Sequence, residues 1–395
     1  MYEILTKLLN IPYYEVVHAE ITQDTIELEI QSTLKYIPCP SCQEPCSVSS
    51  IHENHPRRIR DLPISGKACY LRFVRRRFFC QRCQKPFSEP LDFVDHRRDY
   101  TKRYQAMIFN MVRENNILSV HRLEQLSFDQ IESIFLNEAK KRIPQNPYEH
   151  LKRLGVDEIA LRKGKGNYVL ILSNLDTGHV IDVLQNRTKE TLKSSLIQIP
   201  EAIRSEVSEV CIDMWQPYDD VCSDCFAKAK IVIDRFHVMQ ALNVELKELK
   251  NQIKKQQPQA LEGCEGCHYA LLKNADDLTD EQRQTLANVY EASPILKKAH
   301  RLKECFRHIF ESSKNPKSAQ RRLQQWMQIA KHHSYFPKFL KTLNNWLPKV
   351  LHYFNNRTTN GMVEGINNKI KLITRRAYGF RNFEHFRLRV IAAFI

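Results

Sequence analysis

The chain has 395 residues, more than one hydrophobic core usually serves, and 42% of them are hydrophobic, enough for two or three folded domains. No run of about 18 apolar residues occurs, and the opening Met1-Tyr-Glu-Ile-Leu-Thr-Lys lacks the cationic-then-apolar order of a secretory signal. These features argue against membrane and secreted classes and predict a cytoplasmic protein, while a net charge of +15 is the footprint of a chain that holds a polyanion.

Residues 1–92 read as short strands and turns. Thr25-Ile-Glu-Leu-Glu-Ile-Gln alternates polar and apolar, and Cys69 to Cys80 is rich in aromatics and arginine. Twelve cysteines without a signal peptide point to thiolates that bind metal or fill a core rather than to disulfides. Cys39-Pro-Ser-Cys42 and Cys80-Gln-Arg-Cys83 form two Cys-x-x-Cys knuckles, which together offer the four-sulfur tetrahedral shell of a structural Zn²⁺. The stretch from Gln43 to Phe79 between them is long, so strands must run out and return. Cys46, His52 and Cys69 are spare donors. Arg72, Arg75, Arg76 and Arg77 beside aromatic residues suit phosphate contact and stacking, although a solvated strand face has the same composition.

Residues 93–148 change to helical spacing. Ile108, Met111 and Val112, then Leu118, Val120 and Leu123, then Ile131, Ile134 and Phe135 predict three short helices, the pattern of a helix-turn-helix module.

Residues 149–237 return to strands: Leu154-Gly-Val-Asp-Glu-Ile-Ala, Tyr168-Val-Leu-Ile-Leu-Ser, His179-Val-Ile-Asp-Val-Leu, Val210-Cys-Ile-Asp-Met and Lys230-Ile-Val-Ile-Asp-Arg-Phe. Short turns join the first three, Lys163-Gly-Lys-Gly-Asn among them, and helical stretches flank the fourth, which predicts an α/β fold with a mixed sheet. Residues 238–354 are charged and amphipathic and read as a helical insertion. Residues 355–395 return as basic helix. Cys222-Ser-Asp-Cys225 and Cys264-Glu-Gly-Cys267 repeat the knuckle spacing, as a second zinc site or as thiols packed inward from a helix.

The acids carry the chemistry. Asp157 lies inside an apolar strand and Asp213 ends another, positions where a charge is costly without a purpose. If those strands are neighbours, their carboxylates meet, and Glu364 from a covering helix completes a site for two Mg²⁺ or Mn²⁺ ions suited to in-line phosphoryl displacement. Each acid also has a plain role: a turn, a helix cap, or a pair with Lys369 or Lys371. Asp234, at the end of the next strand, is an alternative ligand or a support, with Arg235 or His237 as its partner. Trp215 either stacks on a displaced base or fills the core.

These residues are recognisable as a set. The double Cys-x-x-Cys module, Gly155-Val-Asp-Glu, Asp213-Met-Trp-Gln-Pro-Tyr, Ile233-Asp-Arg-Phe-His-Val, Asn360-Gly-Met-Val-Glu-Gly-Ile-Asn-Asn-Lys-Ile-Lys and Ala377-Tyr-Gly-Phe-Arg-Asn-Phe, in that order, resemble the ISL-three family of bacterial insertion-sequence transposases. The resemblance implies an RNase H-like catalytic domain with a helical insertion, Asp157, Asp213 and Glu364 as an Asp-Asp-Glu triad, and Asp234 and His237 as supporting residues. It also implies that the zinc module and helix-turn-helix bind double-stranded DNA at the terminal inverted repeats. Lys369, Lys371, Arg375 and Arg376 would then hold the cleaved strand or flanking phosphates, or else form a solvated basic face, with a homodimer pairing two element ends in the nucleoid. The cysteine pairs at Cys222 and Cys264 lie outside the family pattern. The competing readings are a DNA-binding regulator on a fold that no longer cuts and, more distantly, an RNA-processing nuclease; intact acids at all three positions favour the enzyme, and the helix-turn-helix favours duplex DNA. No P-loop is present, which argues against an NTP-driven helicase.

Overall fold

A computed structural model describes residues 2–161, 168–257 and 265–395, except the side chains of 362–364. The chain divides into two compact units, Met1–Ile143 and Pro144–Ile395.

In the first unit, helix α1 (Tyr2–Leu9) leads into the hairpin β1 (Tyr14–Ile21) and β2 (Thr25–Ser32), where Ile26, Leu28 and Ile30 face the core and the intervening polar residues do not. A small ladder of β3 (Tyr36–Pro38) and β4 (Pro45–Ser47) follows. Two 14-residue strands, β5 (Ile51–Ile64) and β6 (Lys67–Cys80), then run out and back around a turn in which Ser65 and Gly66 both take positive φ, 51° and 78°. β6 also pairs in parallel with β2 and antiparallel with β7 (Lys85–Ser88), giving the order β1-β2-β6-β5 with β7 on β6. This long hairpin is the reason the two cysteine knuckles stand so far apart in sequence.

Three helices complete the unit: α2 (Lys102–Glu114), α3 (Ile117–Glu124) and α4 (Phe128–Arg142). Each begins at a side-chain cap, Thr101, Asn116 and Ser127, and Ser127 with Gln130 forms a full capping box. Ile108, Val112, Val120, Ile131, Ile134 and Phe135 are buried as their spacing predicts. Leu123 is not: α3 is only eight residues long and leaves it 69% exposed.

The second unit is built on one mixed sheet of β8 (Arg153–Ala160), β9 (Tyr168–Asn174), β10 (Val180–Leu184), β11 (Glu209–Ile212) and β12 (Lys230–Ile233), ordered β10-β9-β8-β11-β12. The first three strands form an antiparallel meander; β11 joins β8, and β12 joins β11, in parallel. α5 (Lys189–Ile197), α6 (Glu201–Arg204) and α7 (Gln216–Cys225) make the crossovers. The segment Lys163-Gly-Lys-Gly-Asn lies outside the described residues.

Helix α8 (Arg235–Gln256) starts directly at the end of β12, so the boundary expected at 238 falls inside a continuous helix. α9 (Cys267–Leu272), α10 (Asp280–Ala292), α11 (Pro294–Ser312), α12 (Pro316–His332) and α13 (Pro337–Asn356) follow. Their apolar faces share one core with the sheet, from Leu154 and Ile233 through Phe306, Trp326 and Val350. α13 covers the edge strand, where His352 Nδ1 lies 2.7 Å from the Ile231 carbonyl oxygen. Two helices, α14 (Gly361–Arg376) and α15 (Phe383–Ala392), complete the chain. Among the described residues no helix is long and apolar enough to cross a membrane.

Candidate metal and catalytic centres

The four sulfurs of Cys39, Cys42, Cys80 and Cys83 lie within 4.8 Å of one another. Both knuckles close in the same way: Gln43 N–H donates to Cys39 O and Gln84 N–H to Cys80 O, each at 2.8 Å, with both glutamines at positive φ. The Cys83 N–H, 3.4 Å from Cys80 Sγ, draws that thiol down to about 7, toward the thiolate a metal requires. Cys46 is buried beside the group, and burial raises its thiol to about 11, whereas Cys69 sits under the larger sheet against Ile59 and Leu71. His52 is exposed beside Glu53.

The arginines of β6 divide by environment. Arg76 is committed inside the unit, with a bidentate pair to buried Glu89 at 2.6 and 2.9 Å and further bonds to Ser32 Oγ and Leu34 O, so it holds the sheet together rather than facing a ligand. Arg75 donates to Glu89 O, and Arg77 pairs with Glu53. Arg72 remains 58% exposed.

In the second unit, β8 and β11 are hydrogen-bonded neighbours, which brings Asp157 and Asp213 together at one end of the sheet. His237, in the first turn of α8, stands between them, its Nε2 2.7 Å from Asp213 Oδ1 and 3.6 Å from Asp157 Oδ1. Burial raises the Asp213 carboxyl above its ordinary range. Burial works against charge on His237, but the hydrogen bonds and charges of the two carboxylates outweigh it and lift the imidazole to about 10. Asn367, on α14, donates to Asp157 Oδ2 at 2.6 Å. The Glu364 side chain lies outside the described residues; its position is on α14, three residues before Asn367 and therefore on the same helical stripe.

Asp234 does not join this group. It caps α8 through the Phe236 N–H and accepts from Thr359 Oγ1 at 2.7 Å and the Asn360 N–H at 3.3 Å. Neither Arg235, which pairs with Glu311, nor His237 is its hydrogen-bond partner. Buried Glu209 does a matching job at the other end of β11, accepting from Asn356 and Thr358. The end of α13 and the linker 357–360 are thereby fastened across the sheet before α14 begins. Asn367, Thr359 and Glu209 were not singled out from sequence; the spacing of Asn367 from Glu364 was the signal for the first, and nothing local marks the other two.

Lys369 donates to the Ala393 carbonyl and lies 4.8 Å from the Phe394 ring centroid, tying α14 to the chain end, whereas Lys371, Arg375 and Arg376 are exposed. Trp215 is 37% exposed and stacks edge-on to Tyr218 with centroids 4.4 Å apart. Cys222 and Cys225 pack into the core of the second unit as apolar thiols, Cys267 is half-buried, and Cys264 is outside the described residues. Among the described residues the metal-ligating clusters are the four cysteines and the Asp157–Asp213–His237 group.

The family model described as "Transposase", of the ISL-three group, covers residues 154–390, and that described as "zinc-finger of transposase IS204/IS1001/IS1096/IS1165" covers 35–83. The chain belongs to the ISL-three family of insertion-sequence transposases. It is 27% identical to the transposase for insertion sequence element IS1001 of Bordetella parapertussis over 391 residues, 96% of this chain and 95% of that protein. It is 26% identical to the transposase for IS1557 of Mycobacterium tuberculosis over 272 residues, 62% of this chain and 60% of that protein.

Proposed function

We propose that the chain is an active DNA transposase that cuts the ends of its element and joins the freed 3′-hydroxyls to target DNA. Asp157, Asp213 and Glu364 are its acidic triad, on a catalytic domain of RNase H-like topology. The observation that carries this reading is the meeting of Asp157, inside β8, with Asp213, just past the end of the adjacent parallel strand β11, and Asn367, one turn beyond Glu364, bonded to Asp157.

Oxygen donors of this kind fit Mg²⁺ or Mn²⁺, and the presence of His237 between them is consistent with a place where positive charge belongs. When bound, two such ions would activate the attacking oxygen and stabilise the leaving one. The chain's own contribution is positioning. β8 and β11 hold the two aspartates in register, Asn367 orients Asp157, and Asp234 with Thr359 delivers α14 to the acids. The cysteine knuckles hold structural Zn²⁺, and the zinc module with α2–α4 as a helix-turn-helix recognises the terminal repeats. Exposed Arg72 contacts phosphate there, and Lys371, Arg375 and Arg376, further along α14 from the acids, contact phosphate on the cleaved strand. Two copies pair the element ends.

The test is Mg²⁺-dependent cleavage of a duplex carrying the element's own terminal repeat. Asp213→Ala should lose more than about a thousandfold in cleavage while binding the duplex as tightly as the wild type. Equal binding by both proteins with cleavage by neither, in Mg²⁺ or Mn²⁺, would identify a DNA-binding regulator instead.

A further inference from the structure

The segment after α14, Tyr378-Gly-Phe-Arg-Asn-Phe383, is aromatic and basic, and it is held at both ends. The Tyr378 N–H donates to Arg375 O at 3.1 Å and the Gly379 N–H to Thr374 O at 3.0 Å, which closes α14 with both residues in the left-handed region, φ 53° and 93°. Asn382 then caps α15 by accepting from the Glu384 N–H at 2.8 Å. Tyr378, a large ring in a conformation that favours glycine, is 87% exposed.

Inside this loop lies a cavity of about 360 Å³. Phe380 and Phe383 form one wall with Phe386, at centroid distances of 5.2 and 6.0 Å from it. Tyr168 on β9 and Gln185 beyond β10 line the other side, and Arg381 is an exposed lining residue. The Arg187 guanidinium lies 4.3 Å over the Tyr168 ring. Arg187 itself is paired with Glu158, so the cavity's own guanidinium is that of Arg381; aromatic walls, a side-chain amide and this arginine match one ligand chemistry: a planar base joined to phosphates, with the rings for stacking, the amide for a base edge and the arginine for the backbone.

The cavity is aligned with the acid pair. On α14, Thr374 at the cavity is seven residues beyond Asn367 at Asp157, about 10 Å along the helix. Leu161 at the cavity, the residue after β8, follows Asp157 by four residues, about 13 Å along an extended chain. At about 3.4 Å per nucleotide of one strand, either route spans roughly three or four nucleotides. We propose that this cavity receives an unpaired base of the element-end DNA, about three or four nucleotides from the scissile phosphate. The proposal rests on the DNA-cleaving reading of the acids and adds a second, base-holding site to it. Because unstacking a paired base costs free energy, frayed or single-stranded ends fill the cavity most readily.

The experiment uses the full chain and terminal-repeat duplexes with a single abasic site placed at each nucleotide near the cut in turn, with affinity measured without divalent metal and cleavage measured with Mg²⁺. One abasic position should weaken wild-type binding about tenfold; Phe380→Ala should weaken intact DNA by a similar factor and show no further loss at that position. Gln185→Ala, a solvent-side change that spares the core, should alter base preference there. Additive losses, or abasic sites that make no difference at any position, would overturn the proposal. So would a Phe380→Ala effect confined to oligomeric state, which would assign the cavity to a side chain of a second copy. The metal-free affinity arm separates the two readings: a position-specific abasic effect without cleavage by the wild type keeps the base site and removes the catalytic assignment.

Discussion

Gly155 shows how little room surrounds the acids. A Cβ there would stand 2.6 Å from Ser173 Oγ, 2.7 Å from Leu175 Cδ2 and 2.9 Å from Asn360 Oδ1, so Gly155→Ala forces all three side chains to shift, Asn360 in the linker before α14 among them. A loss of about 1–3 kcal/mol in denaturant unfolding is expected, together with slower cleavage. His300 makes a different residue-scale case. It is buried in α11 with Tyr290 Oη 2.8 Å from its Nδ1; burial, and secondarily the Lys303 cation, lower it to about 4. Above about pH 6.5 the ring is neutral in both folded and unfolded chains. As pH falls from there toward 4 the unfolded chain takes the proton first, so stability drops, by about 3 kcal/mol at most. Thermal melts of His300→Gln should lose less stability than the wild type across that window. Asp157 and Asp213 were legible in sequence because a carboxylate in an apolar strand is conspicuous. Asp234 was equally conspicuous, yet its carboxylate holds Thr359 and Asn360, a partnership between residues more than a hundred positions apart that no local pattern records.

At the scale of elements, the knuckles are the most locally determined part of the molecule. Each is a five-residue turn ending in a left-handed glutamine, and the hairpin of β5 and β6 brings the second to the first. The thiols share a small apolar cluster with Ile37 and Phe78, separate from the core of the β1-β2-β6-β5 sheet, so stripping zinc with a chelator, or Cys80→Ser, should loosen the knuckles and the β3–β4 ladder while leaving that sheet folded, and weaken binding to the terminal repeat. Structural zinc sites contribute on the order of 10–16 kcal/mol in isolated fingers, and metal content with circular dichroism would read the loss. The same count tests the other cysteine pair. Cys222 and Cys225 sit in the core, so the full chain should carry one zinc, and Cys222→Ser should leave that number unchanged. Their spacing alone was ambiguous because an i, i+3 pair on a helix also packs inward, and a knuckle differs from a helix only in backbone conformation.

At the scale of the whole molecule, α14 connects the parts of the second unit. It leaves the Asp234–Thr359 anchor, passes Asp157 through Asn367 and ends at the aromatic loop. Loosening the anchor should therefore act at a distance: Asp234→Asn, which keeps the shape but weakens the bond from Thr359, is expected to slow cleavage about 10–100-fold with duplex binding unchanged, as single-turnover rates beside binding isotherms would show. The order of elements, the alternation of β2, the three capped helices, the cysteine knuckles and the conspicuous placement of Asp157 and Asp213 were all determined by short stretches of sequence, because periodicity, capping and ligand spacing are local properties. Tertiary structure decided which strands became neighbours, that Arg76 and Lys369 serve the fold, that His237 stands between the aspartates, and that the helices after β12 share the sheet's core. Each of those outcomes depends on contacts between distant segments, whose free energy arises only when the packed chain excludes water from between them.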